Sequence, residues 1–291
     1  MLGGVSVGRD FPVRIMAAIN VSPESFYKGS VVTTPREISA AVKEAIAEGA
    51  DIIDIGAMSS APHLRSQISA EIELVRLRMA LQAIGESPGT TISVDTPRAS
   101  VAEAALKSGA TVINDVSGLK HDANMARVIR EHKGSLLAVA HSPKISGAPP
   151  ITRVRQALKD TLRIAERAGI DERRIVLDPG IGFFRAKGIG IAHSPQTLMP
   201  WYDWNLNILA DLGSLAALGR PLCVGLSRKA FLSRPLDVRS PEERLPASLA
   251  ASAIAVMKGA SMIRTHDVKE TIQAVRIAEA IKKARGRKSV V

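Results

Sequence analysis

Eight short apolar strands alternating with eight helical stretches predict one closed (β/α)8 barrel over residues 1–291. Two observations support this. Gly-containing stops recur between a helix and the next strand, at Gly49, Gly109, Gly219 and Gly259. Polar side chains also collect at the carboxyl end of strand after strand, where such barrels bind ligands. The strands read at Arg14–Ile19, Asp51–Ile55, Thr91–Val94, Thr111–Asn114, Ser135–Ala140, Arg174–Leu177, Pro221–Gly225 and Ser261–Arg264. The helices read at Pro35–Ala47, Ser66–Ile84, Arg98–Lys107, Asn124–His132, Thr152–Ala168, Leu206–Leu218, Pro241–Lys258 and Val268–Ala284. Helical spacing puts Ile38, Val42, Ala45 and Ile46 on one face, and Leu249, Ala253 and Met257 on another. Between Phe184 and Leu206 a long connection carries Trp201, Tyr202 and Trp204; connections of that length serve as lids, binding loops or packed excursions.

Composition narrows the function. The chain of 291 residues is 46% apolar, enough for a large core. No apolar run approaches the roughly 18 residues of a membrane helix, and no secretory pattern opens the chain, so no membrane association and a cytoplasmic location are expected. The single cysteine, Cys223, excludes an internal disulfide and falls in an apolar run that predicts buried packing. The net charge of +11 favours anionic partners, part of it in a basic tail at about 282–291. Aromatic residues are 3% of the chain, too few for a base-stacking platform, so no nucleic-acid partner is expected. The histidines lack close ligand spacing on any one helix, and no Gly-x-Ser-x-Gly elbow is present.

The strand ends carry the chemistry. Asn20 ends the first, Asp54 lies in the second, Asp95 ends the third, Asn114-Asp115 the fourth and Asp178 the sixth. Ser227-Arg228-Lys229 follow the seventh strand, and Arg264-Thr265-His266-Asp267 the eighth. Asp95, Asn114 and Asp178 offer carboxylates and an amide, suited to the paired N–H groups of an amino-pyrimidinone edge such as a pterin's. Lys229, Arg264 and His266 suit a phosphate or diphosphate. Two plainer readings stand beside this: Asp178 caps the turn at Pro179-Gly180, and the charges form an internal salt-bridge network.

The stretches IMAAINVSPESF, GADIIDIGAMSS, ISVDTPRASVAEAALKSGATVINDVSG, RIVLDPGIGF, ALGRPLCVGLSRKAF and LAASAIAVMKGASMIRTHDVKET resemble, in order, those of the dihydropteroate synthase family of pterin-binding barrels. The resemblance implies that Asp95, Asn114, Asp178, Lys229 and Arg264 hold a pterin, with Asp95, Lys229 and Arg264 catalytic. It implies that Asn20, Arg264 and His266 hold a diphosphate, accompanied by Mg2+ on Asn20, and that the last helices form a homodimer. The implied reaction condenses a hydroxymethyl-dihydropterin diphosphate with an aromatic amine.

The resemblance places Phe26, Lys28, Ser60, Phe183 and Ala230 on the acceptor side, and it is on that side that the chain departs from the pattern. Tyr27-Lys28-Gly29 stands where the family has Ser-Asp-Gly. Ala57-Met58-Ser59-Ser60-Ala61-Pro62-His63 lacks the family's loop arginine. Ala230 replaces a serine, and Arg185 follows Phe184 where Gly-Lys is expected. These changes raise a second acceptor beside 4-aminobenzoate, an aminobenzene bearing a ribosyl phosphate, with Lys28, Arg65 or Arg185 meeting the phosphate. Two other readings are a pterin-dependent methyltransferase, against which Ser227-Arg228-Lys229 argues, and a non-catalytic pterin-binding barrel.

Overall fold

The computed structural model describes residues 1–24, 29, 31–58, 68–85, 89–141, 148–183, 199–238 and 240–286. Eight parallel strands form the expected ring: β1 (Arg14–Asn20), β2 (Ile52–Gly56), β3 (Thr91–Asp95), β4 (Val112–Asp115), β5 (Ser135–Val139), β6 (Ile175–Asp178), β7 (Cys223–Gly225) and β8 (Met262–Thr265). Their order around the sheet is β6-β5-β4-β3-β2-β1-β8-β7. Between β6 and β7 the ring is joined by a single parallel bridge, Leu177 to Leu222, with Leu177 N–H donating to Pro221 O at 3.0 Å.

Helices α1 (Pro35–Glu48), α2 (Ala70–Ile84), α3 (Ala99–Lys107), α4 (Met125–Glu131), α5 (Pro150–Arg167), α6 (Trp201–Ala210), α7 (Leu245–Met257) and α8 (Val268–Gly286) fill the connections. The glycine stops hold: Gly49, Gly109, Gly219 and Gly259 take φ of 104°, 98°, 67° and 102°, the positive-φ region that residues with a Cβ rarely adopt. At the start of α1, Thr34 Oγ1 accepts from Glu37 N–H, and the Glu37 carboxylate accepts from Thr34 N–H at 3.0 Å, a reciprocal cap.

Three expected features differ. Helix α6 begins at Trp201 and continues past Asp211 as a 3-10 turn over Leu212–Leu218. Pro200 supplies the preset φ for the start, and burial of Trp204 and Asn205 holds the first turn down. The tryptophans therefore belong to a packed helix, while residues 184–198 lie outside the described residues. On α7 the buried face is Ser248, Ala251, Ser252, Ala255 and Val256, with Leu249, Ala253 and Met257 half-buried. Small side chains win that face, and the Ser248 and Ser252 hydroxyls donate to carbonyls one turn back, Arg244 O at 2.8 Å and Ser248 O at 2.7 Å. On α1, Ile38, Val42 and Ala45 are buried, but Ile46 is 37% exposed.

Strand alternation separates two apolar layers. Outward residues such as Ile15, Ala17, Ile53, Ile55, Ile113 and Ile263 pack under the helices. Inward residues Met16, Ile52, Val112, Leu137, Val176, Cys223 and Met262 fill the barrel floor. The sequence reading left the first residues unassigned. In the structure Leu2 and Val5 pair as a tight turn, and Leu2, fully buried, plugs that floor from below. Gly3 must be glycine there, because a Cβ would come within 2.6 Å of Thr111 Oγ1 and 2.7 Å of a Val112 methyl. No helix among the described residues is long and apolar enough to cross a membrane.

Candidate active site

One step up β2, β4, β6 and β8 from the apolar floor, the inward positions become polar. Ile52 gives way to Asp54, Val112 to Asn114 and Met262 to Arg264. Parallel register sets Asp54 beside Ser93, and Asp95 beside Asn114, so these groups share adjoining rungs. The sequence reading noted Asp54 without giving it a role; in the structure it is the hub. Fully buried, its Oδ1 accepts from Ser93 Oγ at 2.6 Å. Its Oδ2 accepts from Asn114 Nδ2 at 2.9 Å and from Arg264 Nε at 2.7 Å. Arg264 reaches on to Asp95, Nη2 to Oδ2 at 3.4 Å.

This is the internal salt-bridge network that the plainer reading foresaw, but it is incomplete. Donating through Nδ2 commits Asn114 Oδ1 to the other direction, and that oxygen is buried with no hydrogen-bond partner. A buried acceptor left unpaired costs about 1–3 kcal/mol, so the site is shaped for a donor that the described residues do not supply. Asp95 is also unsettled. Burial raises its pKa to about 7 against the pull of Arg264, with Asp54 adding to the rise.

Asp178, at the end of β6, performs the capping role, accepting from Gly180 N–H through Oδ1 at 2.7 Å. Burial raises its pKa, while Lys229 and Arg264 pull it down, which places both cations within electrostatic reach. Lys229 donates to Ile181 O, and its Nζ lies 4.8 Å from the Phe183 ring centre. Gly182, at φ 90°, lies under the Lys229 side chain, so close that a Cβ would stand 2.3 Å from Lys229 Cδ. Of the two cations after β7, Lys229 faces the mouth. Arg228, at φ 52°, turns back to Asp267, Nη2 to Oδ1 at 2.6 Å, and holds Pro241 and Glu242 carbonyls.

Asn20 leans over the end of β2, its Oδ1 3.3 Å from where a Gly56 Cβ would be. His266 Nδ1 lies 3.0 Å from Ala18 O, so that nitrogen carries the proton. Burial, then the neighbouring Arg264, lowers its pKa to about 4. The sequence reading grouped His266 with the cations; at neutral pH its imidazole is uncharged in this setting. Asp115 is spent on its own turn, accepting from Ser117 N–H at 2.8 Å and Leu119 N–H at 2.7 Å. Ser22 Oγ, buried without a partner, and Ser93 are further polar groups that the sequence reading did not single out. Ala230 opens a 3-10 turn directly after Lys229. Phe26, Lys28, Ser60, Arg65 and Arg185 lie outside the described residues. Among the described residues no cluster of three or more His, Cys, Asp or Glu could hold a metal ion.

Residues 16–266 match the family described as "Pterin binding enzyme". Dihydropteroate synthase of Bacillus subtilis is 34% identical over 267 residues, covering 92% of this chain and 88% of that protein. The Coxiella burnetii dihydropteroate synthase, solved with pteroic acid, superposes with a TM-score of 0.81 at 33% identity, covering 94% of each chain. The Xanthomonas albilineans dihydropteroate synthase, solved with 4-aminobenzoic acid, gives a TM-score of 0.80 at 30% identity over 93% of each chain.

Proposed function

The chain belongs to the dihydropteroate synthase family of pterin-binding enzymes, which are transferases, and from that premise we propose that it joins a hydroxymethyl-dihydropterin diphosphate to an aromatic amine. The observation that carries the proposal is the unpaired, buried Asn114 Oδ1, set by Asp54 beside the carboxyl of Asp95. A pterin edge presents adjacent N–H donors. Asp178 and Asn114 Oδ1 would accept them, Lys229 would donate to the ring carbonyl, and Asp95 would pair with a further ring N–H. Arg264, held in plane by Asp54, would flank the ring and face the diphosphate.

In the reaction the methylene–oxygen bond breaks and diphosphate leaves with the electron pair. The amine nitrogen then forms its bond to the methylene carbon and sheds a proton. Fixed cations favour the departing anion, and the buried carboxyls Asp54, Asp95 and Asp178 favour the positive charge left on the pterin. His266, neutral at the outset, would gain a proton as negative charge builds up on the leaving diphosphate beside it, since an adjacent anion raises an imidazole pKa. Mg2+ keeps most of its waters and rides on phosphate oxygens, so a single amide oxygen fits it, and Asn20 would supply that ligand. Bound there, the ion would offset diphosphate charge.

For the acceptor, the altered residues favour an amine without a carboxylate. Ala230 cannot donate the hydroxyl of the family's serine, a loss of about 1.5–3 kcal/mol for a hydrogen bond to a charged group. An aminobenzene carrying a ribosyl phosphate fits the absent arginine and the added lysine better than 4-aminobenzoate does. Product formation with each amine at matched concentration tests this; normal turnover of 4-aminobenzoate with none of the sugar phosphate would sink the acceptor assignment. Calorimetry with the pterin diphosphate, with and without Mg2+, tests the donor half independently. Mg2+ should tighten the diphosphate ester and leave the bare pterin unchanged.

A further inference from the structure

Away from the strand-end cluster, Arg153 carries a buried charge without a counter-ion among the described residues. Arg153, in the first turn of α5, is 3% exposed. Its Nε donates to Ala148 O at 3.0 Å, and its guanidinium carbon lies 4.8 Å from the ring centre of Trp204, in the first turn of α6. Both Nη1 and Nη2 are buried and have no hydrogen-bond partner. A guanidinium does not deprotonate in a protein, so it cannot escape burial by neutralising, and an unpaired buried charge is among the costliest groups a fold can keep.

Among the described residues no carboxylate pairs with it. Asp203, the one acid in the first turn of α6, makes no ion pair with it, and only burial acts on the Arg153 pKa, lowering it. The segments 142–147 and 184–198, which precede α5 and α6, contain no aspartate or glutamate at all. The local backbone has the same bias. Both helices start on prolines, Pro149 and Pro200, and neither first turn receives a side-chain cap, so two positive helix ends flank the guanidinium.

We propose that the first turns of α5 and α6 form an oxyanion subsite of phosphate type, in which the paired Nη groups of Arg153 make a two-point contact and Trp204 backs the guanidinium plane. Planar, bidentate geometry suits a phosphate better than a point charge does. The site adjoins the pocket wall: Asn205, in the same turn as Trp204, accepts from Gly182 N–H at 2.5 Å, and Gly182 underlies Lys229. Two sources fit this chemistry, free inorganic phosphate and a phosphate on the tail of the acceptor amine. The second source rests on the acceptor assignment above; the subsite itself does not.

The protein carries its own probe, since its two tryptophans, Trp201 and Trp204, both lie in this turn. Inorganic phosphate should change their fluorescence saturably, against potassium chloride of equal ionic strength, and should raise the thermal midpoint. Arg153→Gln should weaken phosphate binding at least tenfold, and His266→Ala should leave the tryptophan response in place. If Arg153→Gln fails to fold, Arg153→Lys, which keeps the charge and loses the fork, should weaken it about threefold or more. Kinetics separate the sources. A KM rising for a phosphorylated amine but not for its dephosphorylated form in Arg153→Gln identifies the tail, and unchanged KM values for both identify the free anion. No saturable response to phosphate, or one that survives Arg153→Gln and disappears in His266→Ala, would overturn the proposal. The first leaves Arg153 as a clamp on Trp204, and the second assigns the anion to the mouth; neither outcome bears on pterin binding.

Discussion

Asp54 and Arg264, 210 positions apart in the chain, meet across the barrel with Nε donating to Oδ2 at 2.7 Å. The carboxylate is fully buried and the guanidinium about one-fifth exposed. The same Asp54 oxygen fixes the amide of Asn114, so one side chain sets the orientation of two neighbouring polar groups. Asp54→Ala should lower unfolding free energy by about 2–4 kcal/mol, below the full cost of breaking a buried pair because Arg264 keeps Asp95. Urea unfolding measures this. Pterin affinity should fall at least tenfold in parallel, because Asn114 is then free to rotate; unchanged affinity would remove Asp54 from the positioning role.

Asp178 and His266 should separate in their effects. Asp178→Asn places an amide donor where the proposed pterin edge needs an acceptor, and should abolish binding of both bare pterin and its diphosphate. His266→Ala should weaken the diphosphate far more than the bare pterin. Calorimetry with the two ligands decides, and equal losses from His266→Ala would contradict the division between heterocycle and anion.

The pH dependence of stability contains two opposed contributions. Asp95, raised from 3.8 to about 7, binds its proton more tightly folded than unfolded. It therefore favours the fold at low pH and loses that contribution as pH rises from about 4 to about 7. His266, lowered from 6.5 to about 4, acts the other way: the unfolded chain takes up the proton first, so stability falls as pH drops from about 6.5 to 4. Asp95→Asn should unmask the histidine slope, with stability rising between pH 4 and 6.5 more steeply than in the parent. Denaturation at stepped pH measures it; an unchanged slope would place the Asp95 pKa near its ordinary value.

Gly182→Ala should damage stability and binding together. The residue sits at φ 90°, and its new methyl would overlap the Lys229 side chain. The backbone strain costs about 1–3 kcal/mol. Lys229 must also move, so pterin affinity should fall. Thermal melts and pterin titration of this one variant test both, and a loss of stability with intact affinity would show that the lysine position is not critical.

Much of the fold was legible because parallel strands buried on both faces leave continuous apolar runs, and because glycines at positive φ follow most of these helices. The polar strand ends were legible for the same reason: Asp95, Asn114 and Asp178 interrupt runs that otherwise stay apolar. Pairing was not. Nothing local in Ile53-Asp54-Ile55 says that its carboxylate meets Arg264, because that contact depends on closing the whole ring. The protonation state of His266 depends on how deeply the closed ring buries it and on a contact with Ala18, remote in sequence. The start of α6 was hidden by aromatic residues that suit a loop or a buried turn equally, and the floor plug by a glycine-rich start with no periodicity.

Seven of the eight strand contacts in the barrel are ladders, and the eighth, between β6 and β7, is the lone bridge at Leu177 and Leu222. Asp178 is carried by one side of this seam and Lys229 by the other. The cylinder thus has a designated hem, and a small parting there widens the gap between acid and ammonium while every other rung stays shut. Amide protons on β6 and β7 should exchange with solvent ahead of those on β1 and β2, and a ligand that spans Asp178 and Lys229 acts as the stitch that closes the cylinder.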